Sequence, residues 1–311
     1  MKKNLAFVFP GQGSQKIGML ADVAEQYPIV KQTFAEASEV LGYDLWDLVQ
    51  NGEQEAINLT ERTQPLLLTA SVALWRIWNE KNGAQPALMA GHSLGEWSAL
   101  VCAGVVEFKD AVELVRSRGA YMQEAVPAGV GAMAAIIGLD DDAIKAACEA
   151  SSGDEVVVPV NFNSPGQVVI AGHAGAVEKA IEACKEAGAK RALPLPVSAP
   201  FHTPLMQPAA DKLAAQIEAT EFKAPQVPVV HNVHAKTETD PAAIKALMIE
   251  QIYSPVLWVD CVNSLTAAGV DTVVECGPGK VLSGLCKRIE RSLSALATED
   301  VASLDAALAE A

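Results

Sequence analysis

Short apolar runs alternate along this chain with longer segments whose apolar residues recur three and four positions apart. Residues 5–9 and 87–90 are two of the short runs, and each is followed by a turn that contains glycine. Residues 64–81 show the longer spacing. Short apolar runs are typical of buried strands, whereas the longer spacing is typical of amphipathic helices. The alternation predicts an α/β fold with a parallel sheet at its core.

The same criteria assign the rest of the chain. Further strands are predicted at 132–137, 156–160, 167–171, 191–197, 227–232 and 272–275. Further helices are predicted at 21–27, 29–41, 45–49, 108–125, 140–150, 174–187, 208–219, 242–252, 256–268 and 281–288, and another begins near Leu94. We expect residues 51–63 to be a polar connection and the Ala-rich tail from Leu293 to fray.

The order of elements changes at Pro127. From there to Ser198 the predicted order is strand, helix, strand, strand, helix, strand, which is that of a ferredoxin-like unit. We therefore predict two domains. Segments 1–126 and 199–311 form the large domain, and segment 127–198 is a small ferredoxin-like domain inserted into it.

A serine lies in the sharpest of the predicted turns. Gly91, Ser93 and Gly95 form a G-x-S-x-G turn between the strand at 87–90 and a helical segment. This is the context of a nucleophile elbow, in which the serine hydroxyl projects from the edge of the sheet. The large domain is therefore predicted to be α/β-hydrolase-like, with Ser93 as nucleophile. The alternative is an ordinary glycine-containing loop.

A serine hydroxyl needs a base to become a nucleophile, and the chain has five histidines. His92 is adjacent to Ser93, but its side chain leaves the turn in another direction, which favours a structural role. His202 lies in a proline-flanked segment at the predicted domain junction, where a base in a cleft is expected. The three other histidines are expected at the surface: His173, His231 and His234.

Two more positions are candidates for contact with substrate. Gln12 lies in a Gly-rich turn after the first strand, where its N–H and that of Leu94 could form an oxyanion hole. The alternative is a simple tight turn. Arg118 lies within the predicted helix at 108–125. It is either a surface arginine or a cleft residue that binds a substrate carboxylate.

Charge and hydropathy limit the possible partners. The 311 residues include 23 Lys and Arg against 38 Asp and Glu, a net charge of −15, so nucleic acid is not expected as a partner. No apolar run reaches the roughly 18 residues that a membrane span needs. The N-terminal apolar run stops at Pro10 without a cleavage site. We expect a cytoplasmic protein that does not bind membranes.

Cysteine and histidine spacing bears on redox state and metals. The six cysteines are scattered without a C-x-x-C pair, and there is no H-E-x-x-H motif. We therefore expect reduced cysteines, no metal and no cofactor. We also expect a monomer.

Seven short segments occur in an order that is far more specific than any one of them: 11–15, 91–96, 118–119 with 122–123, 161–167, 201–203, 251 with 255–256, and 277–279. On these segments the chain, from Leu5 to Arg288, resembles the malonyl-CoA:acyl carrier protein transacylase family of type II fatty-acid synthesis. The chain departs slightly from the pattern of that family at two positions. Trp97 replaces another aromatic residue, and Phe201 before the histidine resembles malonyl-selective acyltransferase domains of polyketide synthases.

The resemblance implies a role for each matching residue: Ser93 as acyl-accepting nucleophile, His202 as base, the N–H groups of Gln12 and Leu94 as oxyanion hole, Arg118 as clamp on the malonyl carboxylate, and Asn163 as a substrate contact. A backbone carbonyl near Gln251 would orient the histidine, so that a dyad replaces a triad. The implied activity is transfer of malonyl from malonyl-CoA to the pantetheine thiol of acyl carrier protein through a malonyl-serine intermediate.

Three other functions stay open at this point. One is the same chemistry with a polyketide carrier protein. Another is a serine esterase or thioesterase, which would need a Ser, Asp or Glu, His order along the chain. The third is a non-catalytic subunit that binds a carrier protein.

Docking of an acidic carrier protein on an acidic chain requires a local basic patch. We expect that patch among five residues: Lys190, Arg191, Lys280, Lys287 and Arg288. The alternative is that these are solvated charges at helix ends with no partner.

Overall fold

The computed structural model describes residues 2–197 and 199–311. The strands are β1 (Lys2–Phe9), β2 (Pro86–Gly91), β3 (Gly131–Ile137), β4 (Val157–Ser164), β5 (Gln167–His173), β6 (Arg191–Pro194), β7 (Val229–Val230), β8 (Thr272–Glu275) and β9 (Ser294–Ala297).

The helices lie between and around these strands. They are α1 (Ala21–Gln26), α2 (Ile29–Leu41), α3 (Leu45–Asn51), α4 (Gln54–Ile57), α5 (Thr60–Glu80), α6 (Leu94–Cys102), α7 (Phe108–Glu124), α8 (Asp141–Ser152), α9 (Ala174–Glu186), α10 (Gln207–Ala219), α11 (Pro241–Glu250), α12 (Trp258–Ala267), α13 (Val281–Ile289) and α14 (Val301–Glu310). Short 3-10 helices occupy Pro204–Met206 and Gln251–Tyr253.

A five-stranded parallel sheet forms the centre of the large part of the molecule, with the order β7-β2-β1-β8-β9. Residues 5–9 of β1 are fully buried because both faces of the strand are covered. Successive side chains of a strand point to opposite faces. Phe7 and Phe9 accordingly join one apolar core, and Ala6 and Val8 join the other. Continuous apolar runs in strands of this kind are the consequence of burial on both sides.

The second sheet is antiparallel, with the order β4-β5-β3-β6, and helices α8 and α9 share its core. This element order is the predicted ferredoxin-like one. The prediction of an α/β fold with a parallel core and a small antiparallel unit is thus confirmed. All four strands of this sheet fall within 127–198, while the exact domain boundaries stay a prediction. Boundary residue Ser198 lies outside the described residues.

Backbone hydrogen bonds join β4 of the antiparallel sheet to the segment before α12. Val256 N donates to Val160 O over 2.7 Å, and Phe162 N donates to Val256 O over 3.1 Å. The segment before α12 therefore pairs with β4 like a short extra strand. This fixes β4 against the end of the parallel sheet.

The C-terminal tail does not fray, contrary to the expectation for residues beyond Leu293. Residues 294–297 form β9, which pairs in parallel with β8 at the edge of the sheet. Asp300 then begins α14 with a capping box that includes Ser303. Alanine has the highest helix propensity, and the buried Leu304 attaches the helix to the core.

Several other bounds differ from the predicted ones, and three of the differences have a clear local basis. The polar connection at 51–63 contains α4 and the start of α5, because Thr60 and Thr63 are buried rather than solvated. Strand β6 ends at Pro194; Leu195 N still donates to Met133 O over 2.9 Å, but Pro196 has no N–H to extend the pairing. Strand β7 has only two residues, because the chain turns away from the sheet after Val230: His231 N donates to Lys236 O, and Ala235 N donates to His231 O.

No helix in the described ranges 2–197 and 199–311 is both long and apolar enough to cross a membrane.

Candidate active site

Ser93 occupies the turn between β2 and α6 with φ 52° and ψ −109°. This backbone conformation is strained for a residue with a side chain. The turn is possible because its flanking glycines carry no Cβ. A Cβ on Gly91 would collide with the carbonyl of Gly95, and one on Gly95 would collide with the carbonyl of Phe9 in β1. The strand, turn and helix predicted from the sequence thus place the serine at the end of the parallel sheet.

The Ser93 hydroxyl and His202 form a hydrogen-bonded pair. Ser93 Oγ lies 2.7 Å from His202 Nε2, and His202 Nδ1 lies 2.9 Å from the carbonyl oxygen of Gln251. A carbonyl only accepts, so Nδ1 carries the proton and Nε2 is left to accept the proton of Ser93. The structure therefore brings together Ser93 and His202, the expected dyad, and the backbone carbonyl of Gln251, which orients the histidine.

Burial is the main influence on the basicity of His202. Burial, together with the positive charge of Arg118, lowers the pKa to about 3, against the opposing effect of the hydrogen bond to the Gln251 carbonyl. The imidazole is only 3% exposed. It is therefore neutral at pH 7 and able to accept a proton.

Arg118 is a cleft residue and not a surface one, because it is 1% exposed. Its Nη1 donates to Gln64 Oε1 over 2.7 Å, and its Nη2 donates to Gln251 Oε1 over 3.0 Å and to Ser93 Oγ over 3.3 Å. Burial lowers its pKa to about 10, and the charge of Glu96 opposes this change. The guanidinium is thus charged at pH 7. Within the described residues it is bound only by neutral acceptors, and its Nε has no partner.

A cavity of about 540 Å³ opens at the dyad. Gln12 and Leu94 both line it, and within the described chain neither N–H has an acceptor. Leu94 is the first residue of α6, where N–H groups lack an intrahelical partner. This placement is compatible with an oxyanion hole. The opposite wall comes from the small antiparallel unit and the junction after it: Met133, Asn161, Leu195, Pro196, Val197 and Phe201.

Asn163 does not line the cavity. Its Oδ1 accepts a hydrogen bond of 2.7 Å from His92 Nε2, which links β4 to the turn that contains Ser93. Burial lowers the pKa of His92, so this imidazole is neutral and structural, as its position in the turn indicated. Asn161, on the same strand, does line the cavity, and among the described residues its Oδ1 has no hydrogen-bond partner. A direct contact between Asn163 and substrate stays a prediction.

His231 is buried, contrary to the expectation of a surface residue. It is fully buried, and its Nδ1 donates to Glu96 Oε1 over 2.6 Å. The sequence gives no signal for this burial, because strand β7 is short and no clear hydrophobic pattern surrounds it. His173 and His234 are each partly exposed.

Sequence reasoning also missed three polar residues that support the site. Gln64 holds Arg118, and Asn232 Oδ1 accepts from Ser93 N over 2.9 Å. Glu96 accepts from Gln251 Nε2 over 2.7 Å. A polar residue inside an apolar stretch is the only available signal. Gln64 lies in the buried stripe of α5 and Glu96 in the apolar α6.

The five residues of the expected basic patch are all at least partly exposed, but they are not equally free. Lys280 forms an ion pair of 3.0 Å with Glu299. Arg288 donates to Gln167 Oε1 over 2.8 Å, so α13 contacts the antiparallel sheet. Gln167 pairs with Ile137, which pairs with Arg191. Arg191 therefore lies two strands, or about 10 Å, from the residue that Arg288 contacts.

No group of three or more His, Cys, Asp or Glu side chains in the described part of the chain is placed to hold a metal ion. The six cysteines are buried and free. The expectations of no metal and no cofactor stay predictions.

Comparison with known proteins gives consistent matches over the full length. The family model of the acyl transferase domain matches residues 6–305. The malonyl CoA-acyl carrier protein transacylase of Salmonella typhimurium is 63% identical over 305 residues, which are 98% of this chain and 99% of the relative.

Two solved structures are similarly close. An acyl carrier protein S-malonyltransferase from Vibrio cholerae has a TM-score of 0.96 at 64% identity, with 97% of this chain and 99% of that chain covered. A malonyl-transacylase in complex with its holo type II PKS acyl-carrier protein has a TM-score of 0.98 at 60% identity, with 99% of this chain and 100% of that chain covered.

Proposed function

Because this chain belongs to the acyl transferase domain family, we propose that it transfers malonyl from malonyl-CoA to the pantetheine thiol of an acyl carrier protein. The observation that carries the proposal is the distance of 3.3 Å between Arg118 Nη2 and the nucleophile Ser93 Oγ. In a malonyl thioester the free carboxylate is only two bonds from the acyl carbon. A charged guanidinium beside the nucleophile fits that substrate.

The first half of the reaction acylates Ser93. Its hydroxyl oxygen attacks the thioester carbonyl while His202 Nε2 takes the proton, and the carbonyl of Gln251 stabilises the imidazolium that forms. The tetrahedral intermediate collapses with loss of the thiolate of coenzyme A, which leaves as the thiol with the proton from His202. The product is a malonyl ester on Ser93.

Gln12 and Leu94 are the proposed donors to the oxyanion of that intermediate. Both line the cavity, and Leu94 lies at the N-terminal end of α6, where the helix dipole favours negative charge. Each donor of this kind contributes about 3 kcal/mol in the transition state.

The second half reverses the first with a different thiol. The pantetheine thiol of the carrier protein enters the cavity and gives its proton to His202, and its sulfur attacks the ester. Ser93 regains its proton when the new thioester leaves. One thioester replaces another, so the reaction needs no ATP, and the two substrates bind in turn.

Arg118 selects the acyl group. A malonyl carboxylate gives the buried guanidinium its missing ionic partner, whereas an acetyl group leaves it with neutral acceptors only. Charge-assisted hydrogen bonds are worth about 1.5–3 kcal/mol. The site therefore favours malonyl over acetyl.

The carrier protein is proposed to dock on exposed basic residues near the seam between α13 and the antiparallel sheet. Arg191, Lys287 and Arg288 are the main candidates, and Lys190 is next to Arg191 in sequence. Lys280 contributes less, because Glu299 already neutralises it. The proposal is supported by the similar transacylase whose structure contains an acyl-carrier protein.

The test follows a label through both halves. The protein is incubated with malonyl-CoA labelled in the malonyl group, and the intact mass and the acylated peptide are measured. We expect one malonyl group on the peptide containing Ser93, no adduct in Ser93→Ala, and movement of the label when holo-carrier protein is added. Label on another peptide, or none, would contradict the proposal.

A polyketide carrier protein is the second candidate acceptor, because the similar complex contains a type II PKS acyl-carrier protein. Competition between a fatty-acid and a polyketide carrier protein for the malonyl enzyme decides between them by their kcat/KM values. Release of free malonate without any acceptor thiol, at a rate comparable to transfer, would instead indicate a hydrolase.

A further inference from the structure

The buried carboxylate of Glu96 lies behind the site, in the first turn of α6, and is 1% exposed. It accepts hydrogen bonds from His231 Nδ1 over 2.6 Å, from Asn232 N over 3.2 Å and from Gln251 Nε2 over 2.7 Å. In the described ranges no lysine or arginine forms an ion pair with it. The charge of this carboxylate acts on Arg118, yet the two side chains do not pair directly. For a buried charge this arrangement needs an explanation.

Gln251 is the residue between them. Its Nε2 donates to Glu96, while its Oε1 accepts from Arg118 Nη2 over 3.0 Å. Its backbone carbonyl accepts from His202 Nδ1 over 2.9 Å. Nε2 also donates to Ser93 O over 3.0 Å. One glutamine thus joins Glu96 to the guanidinium, the base and the nucleophile turn.

We infer that Glu96 determines malonyl selectivity by fixing which way round the side-chain amide of Gln251 lies. An amide can rotate so that its oxygen and nitrogen exchange places. An ionised carboxylate only accepts, so it holds the NH₂ group and leaves Oε1 for Arg118. The rotated amide would present NH₂ to the guanidinium and displace it from its position 3.3 Å from Ser93 Oγ.

The intervening amide also keeps Arg118 available. A carboxylate in direct contact would neutralise the guanidinium and compete with the substrate. Separated by one amide, Glu96 still stabilises the buried positive charge, and accordingly it raises the pKa of Arg118 against the effect of burial. Glu96 acts through Gln251 and is a positioning residue. This inference rests on the proposed malonyl transfer.

The test compares kcat/KM for malonyl-CoA and acetyl-CoA in Glu96→Gln. The amide introduced by this change can donate or accept, so Gln251 Nε2 loses its charged acceptor and keeps only the weaker acceptors Ser93 O at 3.0 Å and Asn232 Oδ1 at 3.4 Å. The orientation of the Gln251 amide is then held less strongly. We expect the malonyl-to-acetyl ratio to fall about tenfold, mainly through malonyl, because a hydrogen bond to a charged group is lost. In the Arg118→Ala background, the same change should leave the ratio unaltered.

Glu275→Gln is the matched control. Glu275 is also fully buried at the carboxyl end of a strand, but it accepts from Leu282 N and Ser283 N at the start of α13. We expect its selectivity to equal that of the wild type. Thermal unfolding of both variants measures any general loss of stability.

A second variant serves if Glu96→Gln does not fold. Exchanging the two groups in Glu96→Gln/Gln251→Glu keeps the total charge and the hydrogen bond between positions 96 and 251, but it puts a carboxylate directly on Arg118. We expect selectivity to be lost there as well.

An equal loss of both acyl activities, an unchanged ratio in either variant, or an effect that persists without Arg118 would overturn the inference. A wild-type protein with no malonyl transfer would instead refute the proposed function. The two failures are therefore distinguishable.

Discussion

His202 shows how far burial can change the chemistry of a single side chain. Its ordinary pKa of about 6.5 would leave about a quarter of the imidazole protonated at pH 7. Burial and the charge of Arg118 bring the pKa to about 3 instead. The base is thus kept in its reactive form by its surroundings, without a carboxylate partner.

This gives a prediction for the pH dependence of acylation. A lowered pKa means that the folded enzyme keeps its base neutral until the pH approaches 3. We expect kcat/KM for malonyl-CoA to show no acid limb between about pH 8 and about pH 5, since the ordinary value of about 6.5 falls inside that range. Pre-steady-state rates of acylation, recorded across that pH range, measure this pH dependence. A limb centred near the ordinary value would show that the imidazole titrates normally.

Arg118→Ala tests whether this single side chain binds the malonyl carboxylate. We expect kcat/KM for malonyl-CoA to fall about 10- to 100-fold, because the charged hydrogen bonds to the carboxylate are lost. Acetyl transfer should survive or increase, since acetyl makes no use of the guanidinium. Arg116→Ala is the control, because Arg116 lies on the same helix but pairs with Glu113 at the surface. Full malonyl selectivity in Arg118→Ala would show that another residue binds the carboxylate.

Single elements are held by local capping as well as by burial. The N-terminus of α14 is closed by Asp300 Oδ1, which accepts from Ser303 N over 2.7 Å, while Ser303 Oγ accepts from Asp300 N over 3.2 Å. These bonds satisfy two backbone donors that a helix start otherwise leaves open. The helix then covers the edge of the parallel sheet with Leu304.

Asp300→Ala is predicted to lower the free energy of unfolding by about 1 kcal/mol, which is typical for loss of a helix cap. Malonyl transfer should stay unchanged, because α14 contributes no residue to the cavity. Asp305→Ala, on the exposed face of the same helix, is the control. Denaturant unfolding measures both variants, and equal effects would show that the cap contributes nothing specific.

At the scale of the whole molecule, the site is built where two units meet. The turn after strand β2 of the parallel sheet supplies Ser93, the segment after the antiparallel unit supplies His202, and β3 and β4 contribute to the opposite wall of the cavity. Two contacts fix β4 there, namely the backbone pairing with Val256 and the hydrogen bond from His92 to Asn163. The width of the cavity therefore depends on how the two units pack.

The charges at the seam between these units give a prediction about the partner. Arg191→Glu/Lys287→Glu should raise KM for the carrier protein about fivefold, because each rim charge contributes up to roughly 1 kcal/mol. KM for malonyl-CoA should change less, and added salt should shrink the difference from wild type. Equal effects on both substrates would contradict docking at this place.

Lys81→Glu is the matched control for that experiment. Lys81 is exposed at the end of α5 and contacts the ring of Tyr27, so it belongs to neither α13 nor the antiparallel sheet. The substitution Lys81→Glu changes the net charge in the same direction as the double variant, but it leaves the seam between α13 and the antiparallel sheet unchanged. We expect its KM for carrier protein to equal that of the wild type.

The sequence by itself determined those parts of the fold that depend on residues close together along the chain. The apolar run of β2, the glycines on either side of Ser93 and the helical spacing after it predict the elbow, since a turn of this shape is set by local sterics. The six-element order between 127 and 198 likewise predicts the antiparallel unit. Only family resemblance pointed to Gln251.

Only the tertiary structure decided which polar residues converge on the elbow. Glu96 and Gln251 are 155 residues apart in sequence, and Arg118 and Gln64 are 54 apart. No periodicity encodes such pairs, because they arise from how separate elements pack. The same holds for β9, whose strand exists through its pairing with β8. Local sterics thus fixed the conformation of the turn at Ser93, whereas packing between distant elements fixed the polar and charged groups around it.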